Sequence, residues 1–317
     1  MEIGARKGRD GDELRRGLIG CPDYEGAVAG MRHSGWTAVG CAIATLAGIL
    51  PGATQHAGES LRDCPDCPEM VVVPAGSFMM GSTPAEIEAL EEQFGPAGWR
   101  AEGPRHMVTI ARPFAVGKFE VTFAEWDACV AAGGCGQRPG DEGWGRGRQP
   151  VINVSWNDAK EYAAWLSRKT GKFYRLLTEA EWEYAARGVT SASAPSKRYW
   201  WGNSASREYI NYGEDECCKP GPDQPDNPAP VGQFPANLFG LHDMHGNVWE
   251  WVEDCWNSSY SGAPSDGSAW TTGYCISSVL RGGSWSFGPV HLRSAKRSNT
   301  PRFNRSQTLG FRMARAL

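Results

Sequence analysis

Two histidines, an asparagine and a glutamate crowd into Gly240 to Trp256, GLHDMHGNVWEWVEDCW, where oxygen and nitrogen ligands alternate with apolar anchors as in no other seventeen residues of the chain. In an extended segment side chains alternate, so Val248 and Glu250 share one face and Trp249 and Trp251 the other. Two buried indoles then hold a carboxylate at a fixed place beside Asn247, which is how a rigid oxygen site is made. The plainer alternative buries the tryptophans as core and lets Glu250 hydrogen-bond a buried backbone group. His242 and His245 are spaced by three, and His291 is the candidate third ligand of an iron or copper centre. A histidine pair without a third strong ligand is more often satisfied locally, so such a centre is the lesser expectation.

Cysteine is the other residue with chemistry to offer. Ten are present, and eight lie beyond Cys21 and Cys41. An even set of eight tends to pair in an oxidising compartment. Cys64-Pro65-Asp66-Cys67 has no second CxxC and no following helix, which favours a linker disulfide or two unrelated bridges over a redox or zinc motif. Cys129 with Cys135 and Cys255 with Cys275 fit as loop staples, adjacent Cys217 and Cys218 must each look elsewhere, and the connectivity stays open.

What positions these groups is a chain of 317 residues with 40 glycines, 21 prolines and 14 tryptophans. That composition describes a domain running largely through turns pinned by aromatic anchors, not a helical bundle or a doubly wound sheet. A net charge of -4 and the lack of any basic run give no case for nucleic acid. Residues 1–30 have no apolar period and read as unfolded or untranslated, with a better start at Met31. Residues 31–57 read as a signal peptide: Arg32 and His33, then the apolar run Trp36 to Leu50, then small residues after Pro51. The run is too short for a stable membrane span, so an exported, periplasmic or extracellular protein is expected. Residues 58–69 read as a linker and 70–317 as one domain.

Within that domain Met70 to Val73, Ser77 to Met80, Met107 to Ile110 and Phe114 to Val121 have strand character. Thr122 with Glu125 is a capping box opening a helix that ends at Gly133. Ser155 or Asn157 caps a second helix, Asp158 to Lys169, stopped by Gly171. Thr178 with Glu181 caps a third, stopped by Gly188. Residues 81–104 and 191–237 read as loop, and so long a second loop implies a bound ion, a disulfide or a functional surface. The class is α+β.

Met70-Val-Val-Val-Pro-Ala-Gly-Ser-Phe-Met-Met-Gly-Ser82, Glu120-Val-Thr122, Pro150-Val-Ile-Asn-Val-Ser-Trp156, Arg175-Leu-Leu-Thr-Glu-Ala-Glu-Trp-Glu-Tyr-Ala-Ala-Arg187, Gly240-Leu, Gly246-Asn-Val-Trp-Glu-Trp251, Arg281-Gly-Gly-Ser-Trp285 and Leu309-Gly-Phe-Arg312 resemble, in order, the motifs of the sulfatase-modifying-factor (formylglycine-generating enzyme) family. The resemblance implies the C-type-lectin-like fold, with little regular secondary structure. It also implies an oxidase that converts a sulfatase cysteine to an aldehyde with copper held by two cysteines just after the Gly-Gly-Ser-aromatic motif. Phe287 falls near the first of those cysteines, and no cysteine follows Cys275. Soft Cu(I) needs thiolates, so copper chemistry of that kind is not expected. The iron-dependent branch, similar to ergothioneine-type sulfoxide synthases, uses a His-rich helical domain that this chain lacks.

Residues 286–308 resemble instead the ligand face of variable proteins of diversity-generating retroelements, with adaptable polar side chains among flat aromatic anchors. A binding module for a protein or peptide is therefore expected, with Trp285, Ser286, Phe287, His291, Arg293, Arg302 and Phe303 as candidate contacts. The alternative is a metal-dependent oxidase with a displaced site. The cofactor expected is structural calcium. One ion carries over from the family to Gly246, Asn247, Val248 and Glu250, and another to Asn211, Tyr212 and Asp223, since hard oxygen ligands on loops suit Ca²⁺.

Overall fold

The computed structural model describes residues 56–96, 98–213 and 226–317. The expectations for residues 1–30, for the signal segment before residue 56, and for Cys217, Cys218 and Asp223 fall outside them. In chain order the elements are β1 (Ser60–Leu61), β2 (Met70–Val73), β3 (Gly76–Met80), α1 (Pro84–Phe94), β4 (His106–Ile110), β5 (Phe114–Gly117), α2 (Phe123–Ala131), α3 (Trp156–Thr170), β6 (Tyr174–Leu176) and α4 (Glu179–Arg187). After a long loop come β7 (Trp249–Trp256), β8 (Tyr274–Arg281), β9 (Arg297–Pro301), β10 (Leu309–Phe311) and β11 (Met313–Ala316). This is the expected α+β class, rich in loop.

Each helix opens on a complete capping box: Thr83 with Glu86, Thr122 with Glu125, Ser155 with Asp158, and Thr178 with Glu181. In each, the cap side chain accepts from the third helical N–H while the acid accepts from the cap N–H, and loss of such a cap typically costs about 1 kcal/mol. Gly171 and Gly188 close α3 and α4 in the left-handed conformation. The stretch 81–104, expected as loop, contains α1, so the described residues hold four α-helices where three were read.

A five-stranded sheet runs β1-β2-β5-β11-β6, a four-stranded sheet β10-β7-β8-β9, and β3 with β4 makes a ribbon. The stretch 58–69, expected as a linker, belongs to the first sheet: Ser60 lies opposite Val71 and Leu61 opposite Met70. Two residues are too few to show a strand period. In the second sheet β10 runs parallel to β7, with Gly310 opposite Glu250, and β8 pairs on the other side with Arg281 opposite Glu250. Both faces of this strand are covered, and Trp249, Glu250, Trp251 and Val252 are all buried.

Two large apolar clusters, with two smaller ones beside them, hold the described residues together. In one, α2 and α3 pack on β10 through Trp126, Tyr162 and Phe311, whose rings lie 5.5–6.1 Å apart. In the other, Trp182 and Tyr184 of α4 pack with Val71, Phe78 and Val252. Three disulfides, Cys64–Cys67, Cys129–Cys135 and Cys255–Cys275, match the expected CxxC bridge and loop staples. No helix among the described residues is long and apolar enough to cross a membrane.

Candidate functional site

Glu250 sits in the core because a guanidinium sits there too. Arg312, one residue beyond β10, donates from Nε to both Glu250 oxygens at 3.0 Å and from Nη2 to Oε1 at 2.8 Å, and Trp182 Nε1 donates to Oε2 at 2.7 Å. The remaining Arg312 donors reach the carbonyls of Gly117 and His242 at 2.9 Å. Glu250 is thus neither a free oxygen ligand nor a partner of backbone N–H groups, as the two sequence readings had it. Both its oxygens are taken by a buried ion pair that ties β7 to the turn between β10 and β11.

Two further carboxylates are buried alongside. Asp243 accepts from Gly232 N at 2.7 Å, and its pKa is pushed up to about 6, chiefly by burial, with the Glu250 charge adding to it. The Glu120 pKa stands well above the usual carboxylate range through burial and the nearby Asp243 charge, partly offset by Arg312. Glu120 Oε2 accepts from Asn247 Nδ2 at 3.3 Å, whereas Oε1 is buried without a partner. Three carboxylates therefore surround one guanidinium.

Asn247 organises the surrounding loops. At a φ of 58° it occupies the left-handed region that asparagine tolerates. Its N–H donates to Asn211 O at 3.1 Å and its carbonyl accepts from Trp285 N at 2.8 Å. Its side chain bridges Glu120 to Ala229, accepting from Ala229 N at 2.8 Å. The preceding Gly246 has a φ of 79°, and a Cβ there would stand 2.2 Å from Asn211 O, so only glycine fits.

A calcium ion is an acceptable guest here on one count. The buried, partnerless Glu120 Oε1 needs a cation or a donor. Among the described residues no three His, Cys, Asp or Glu side chains converge as metal ligands, so the ion would draw on backbone carbonyls of the Gly246–Val248 turn as well. At the second expected site, Asn211 O and Tyr212 O already accept from Asn247 N and Arg207 Nη1. The three histidines are held separately. His242 Nδ1 bonds Phe234 O and His245 Nδ1 bonds Leu292 O, both at 2.7 Å, while His291 stacks on Trp99 at 5.6 Å. Burial, with the Lys296 and Arg293 charges, takes the His291 pKa down to about 4.

The candidate binding residues divide into three groups. Trp285, Ser286 and Phe287 stay together and are half-buried. Phe287 meets Trp249 edge-on at 5.6 Å, and Trp285 meets Trp144 edge-on at 5.5 Å. Arg302 and Phe303 form a second group: Arg302 lies over Trp156 at 4.1 Å and donates to Ser278 Oγ, and Phe303 is 65% exposed. His291 and Arg293 do not project as expected. Arg293 is buried, gripping both oxygens of Glu102 at 2.7 and 3.0 Å beneath Trp99, and a guanidinium held that way is structural. Sequence reasoning missed Trp144, Trp99, Glu102, Glu120 and Asp243. Glu120 stood inside a family-like motif and Asp243 inside the Gly240 to Trp256 stretch, either of which could have flagged it.

What the first group offers is a half-buried aromatic ledge of Trp144, Trp285 and Phe287 with the Ser284 and Ser286 hydroxyls 3.3 Å apart beside it. Flat rings next to small polar groups suit recognition of a partner's side chains.

Residues 56–317 match the sulfatase-modifying factor enzyme 1-like domain. The formylglycine-generating enzyme of Streptomyces coelicolor is 31% identical over 299 residues, covering 77% of this chain and 88% of that one. Among solved structures, PvdO from Pseudomonas aeruginosa has 42% identity and a TM-score of 0.69 over 83% of this chain and all of its own. Treponema denticola variable protein 1, at 23% identity and a TM-score of 0.63 over 82% and 99% of the two chains, shares the C-type-lectin-like fold.

Proposed function

We propose, on the premise that this chain belongs to the sulfatase-modifying factor enzyme 1-like family, that it is an exported module that binds a protein or peptide ligand through the ledge of Trp144, Trp285 and Phe287. One observation carries this reading. Phe287 falls near the position where the family resemblance puts the first copper cysteine, its ring packed on Trp249, and no cysteine follows Cys275. Every cysteine among the described residues is in a disulfide. These residues do not fit Cu(I), which needs thiolates. Three disulfides also support an oxidising compartment.

Calcium is proposed as a structural ion held by Glu120 and the carbonyls of Gly246 and Val248, where it would supply positive charge to a carboxylate cluster and fix the loops that carry Trp285. Glu250 and Arg312 orient those loops without touching it.

Two experiments test the function. Peptides selected from a random library against the mature chain should lose about tenfold in affinity with Trp285→Ala or Trp144→Ala at unchanged melting temperature. Equal binding by both variants would reject this face. A sulfatase-type cysteine peptide incubated with copper-loaded protein should yield no aldehyde by mass spectrometry, and its detection would establish the oxidase alternative instead.

A further inference from the structure

We propose that the cleft between β3, the C-terminal end of α4 and residues 189–200 binds an organic carboxylate with a hydrocarbon or aromatic body. The cleft has a volume of about 90 Å³ and shares no residue with the Trp144 and Trp285 ledge. Its apolar wall comprises Phe78, Val189, Trp200 and Leu238, the last 77% exposed. Its charged lining is wholly cationic: Arg105, Arg187 and Lys197. A neighbouring cleft of about 250 Å³ shares Arg187, Ser196 and Lys197, and adds Arg198 and Arg293.

Charge accounting decides what these cations are for. Arg187 is neutralised by Glu183, which accepts from its Nε and Nη2 at 2.9 and 2.7 Å, and Arg293 by Glu102. The one acid lining either cleft, Glu86, is occupied by the α1 capping box, accepting from Thr83 N at 2.7 Å. Arg105, Lys197 and Arg198 make no ion pair among the described residues, and Arg105 Nε is buried without a hydrogen-bond partner. On a chain of net charge -4, two unpaired cations around this apolar hollow, Arg105 and Lys197, with Arg198 in the neighbouring cleft, run against the overall balance. A buried, unpaired guanidinium N–H costs stability until an acceptor arrives, and a carboxylate supplies two oxygens in the geometry that arginine prefers. The apolar wall then takes the rest of the ligand out of water at about 25 cal/mol per Å². An inorganic anion would leave that wall unused.

Titration calorimetry on the mature chain tests this with phenylacetate and 4-methylpentanoate as probes. Both should bind, and phenylacetamide, the neutral isostere, should bind at least about tenfold more weakly. Arg105→Gln with Lys197→Gln should weaken phenylacetate by about tenfold or more without lowering the melting temperature, because Lys197 is exposed and the Arg105 Nε that is lost has no partner to forfeit. Leu238→Ser should weaken both carboxylates while leaving the amide-to-acid ratio intact. Absence of binding by both probes, equal binding of the amide, an unaffected double variant, or full displacement of phenylacetate by equimolar inorganic phosphate would each overturn the proposal. Loss of peptide binding by Trp285→Ala leaves this cleft untouched, so the two sites fail independently.

Discussion

Removing Arg312 should hurt this fold more than removing the glutamate it grips. Breaking a buried ion pair by deleting one partner costs about 3–5 kcal/mol, because the survivor is left uncompensated in a poor solvent for charge. Here the two deletions are not equivalent. Glu250→Gln keeps an acceptor near Trp182 Nε1, and the stranded guanidinium still faces Glu120 and Asp243 and still donates to the carbonyls of Gly117 and His242. Its cost falls at the low end, about 3 kcal/mol. Arg312→Gln removes the cation from among three buried carboxylates and vacates two carbonyls, which puts it at about 5 kcal/mol. For a domain this large each kcal/mol moves the midpoint by about 2–4 °C, so the variants should melt about 4–8 °C apart, Arg312→Gln lower. Calorimetry at pH 7.5 with the disulfides intact reads the order directly. If Glu250→Gln melts at or below Arg312→Gln, the three-carboxylate account of this site is wrong.

Two further outcomes follow from buried acids. Asp254 accepts from Glu179 N and Trp270 N, and burial, reinforced by the Glu179 charge, raises its pKa to about 7, above the unfolded value. The native state therefore holds the proton more tightly, and this contribution to stability is complete below about pH 4 and is lost as pH rises through about 7. Urea midpoints measured from pH 4.5 to 8 should fall less steeply in Asp254→Asn than in the parent, and parallel slopes would refute the assignment. Calcium should raise the melting temperature of the parent, a chelator should reverse it, and Glu120→Gln should shrink the difference while Glu250→Gln retains most of it. A melt indifferent to both calcium and chelator removes the ion from this site.

Local signals in the sequence were reliable where the physics is local. Thr122, Ser155 and Thr178 each announce a helix because a cap and its acid lie three residues apart, and Gly171 and Gly188 mark the stops. Thr83-Pro84-Ala85-Glu86 carries the same box with proline at the first helical position, yet the surrounding charge hides the short apolar stripe of α1. Distant pairings left no such trace. Arg293 looks like a surface arginine among serines and asparagines, and only the fold brings Glu102 to it from 191 positions away. The alternation of Val248, Trp249, Glu250 and Trp251 set Glu250 on the face away from the indoles, but nothing local announced that Arg312 and Trp182, distant in sequence, take both its oxygens.

The position of β11 bears on how this chain can be made. It is the last of the described strands in sequence but lies inside its sheet, pairing with β5 on one side and β6 on the other. Until it arrives, β1, β2 and β5 form one fragment and β6 stands apart, each with an open edge. Synthesis from the ribosome delivers every other element first, so the sheet closes only once residues 313–316 are free to insert, and the half-built sheet must be kept from pairing with its neighbours in the meantime. A chain that ends before Met313 should therefore accumulate as aggregate, not as a slightly shortened native domain.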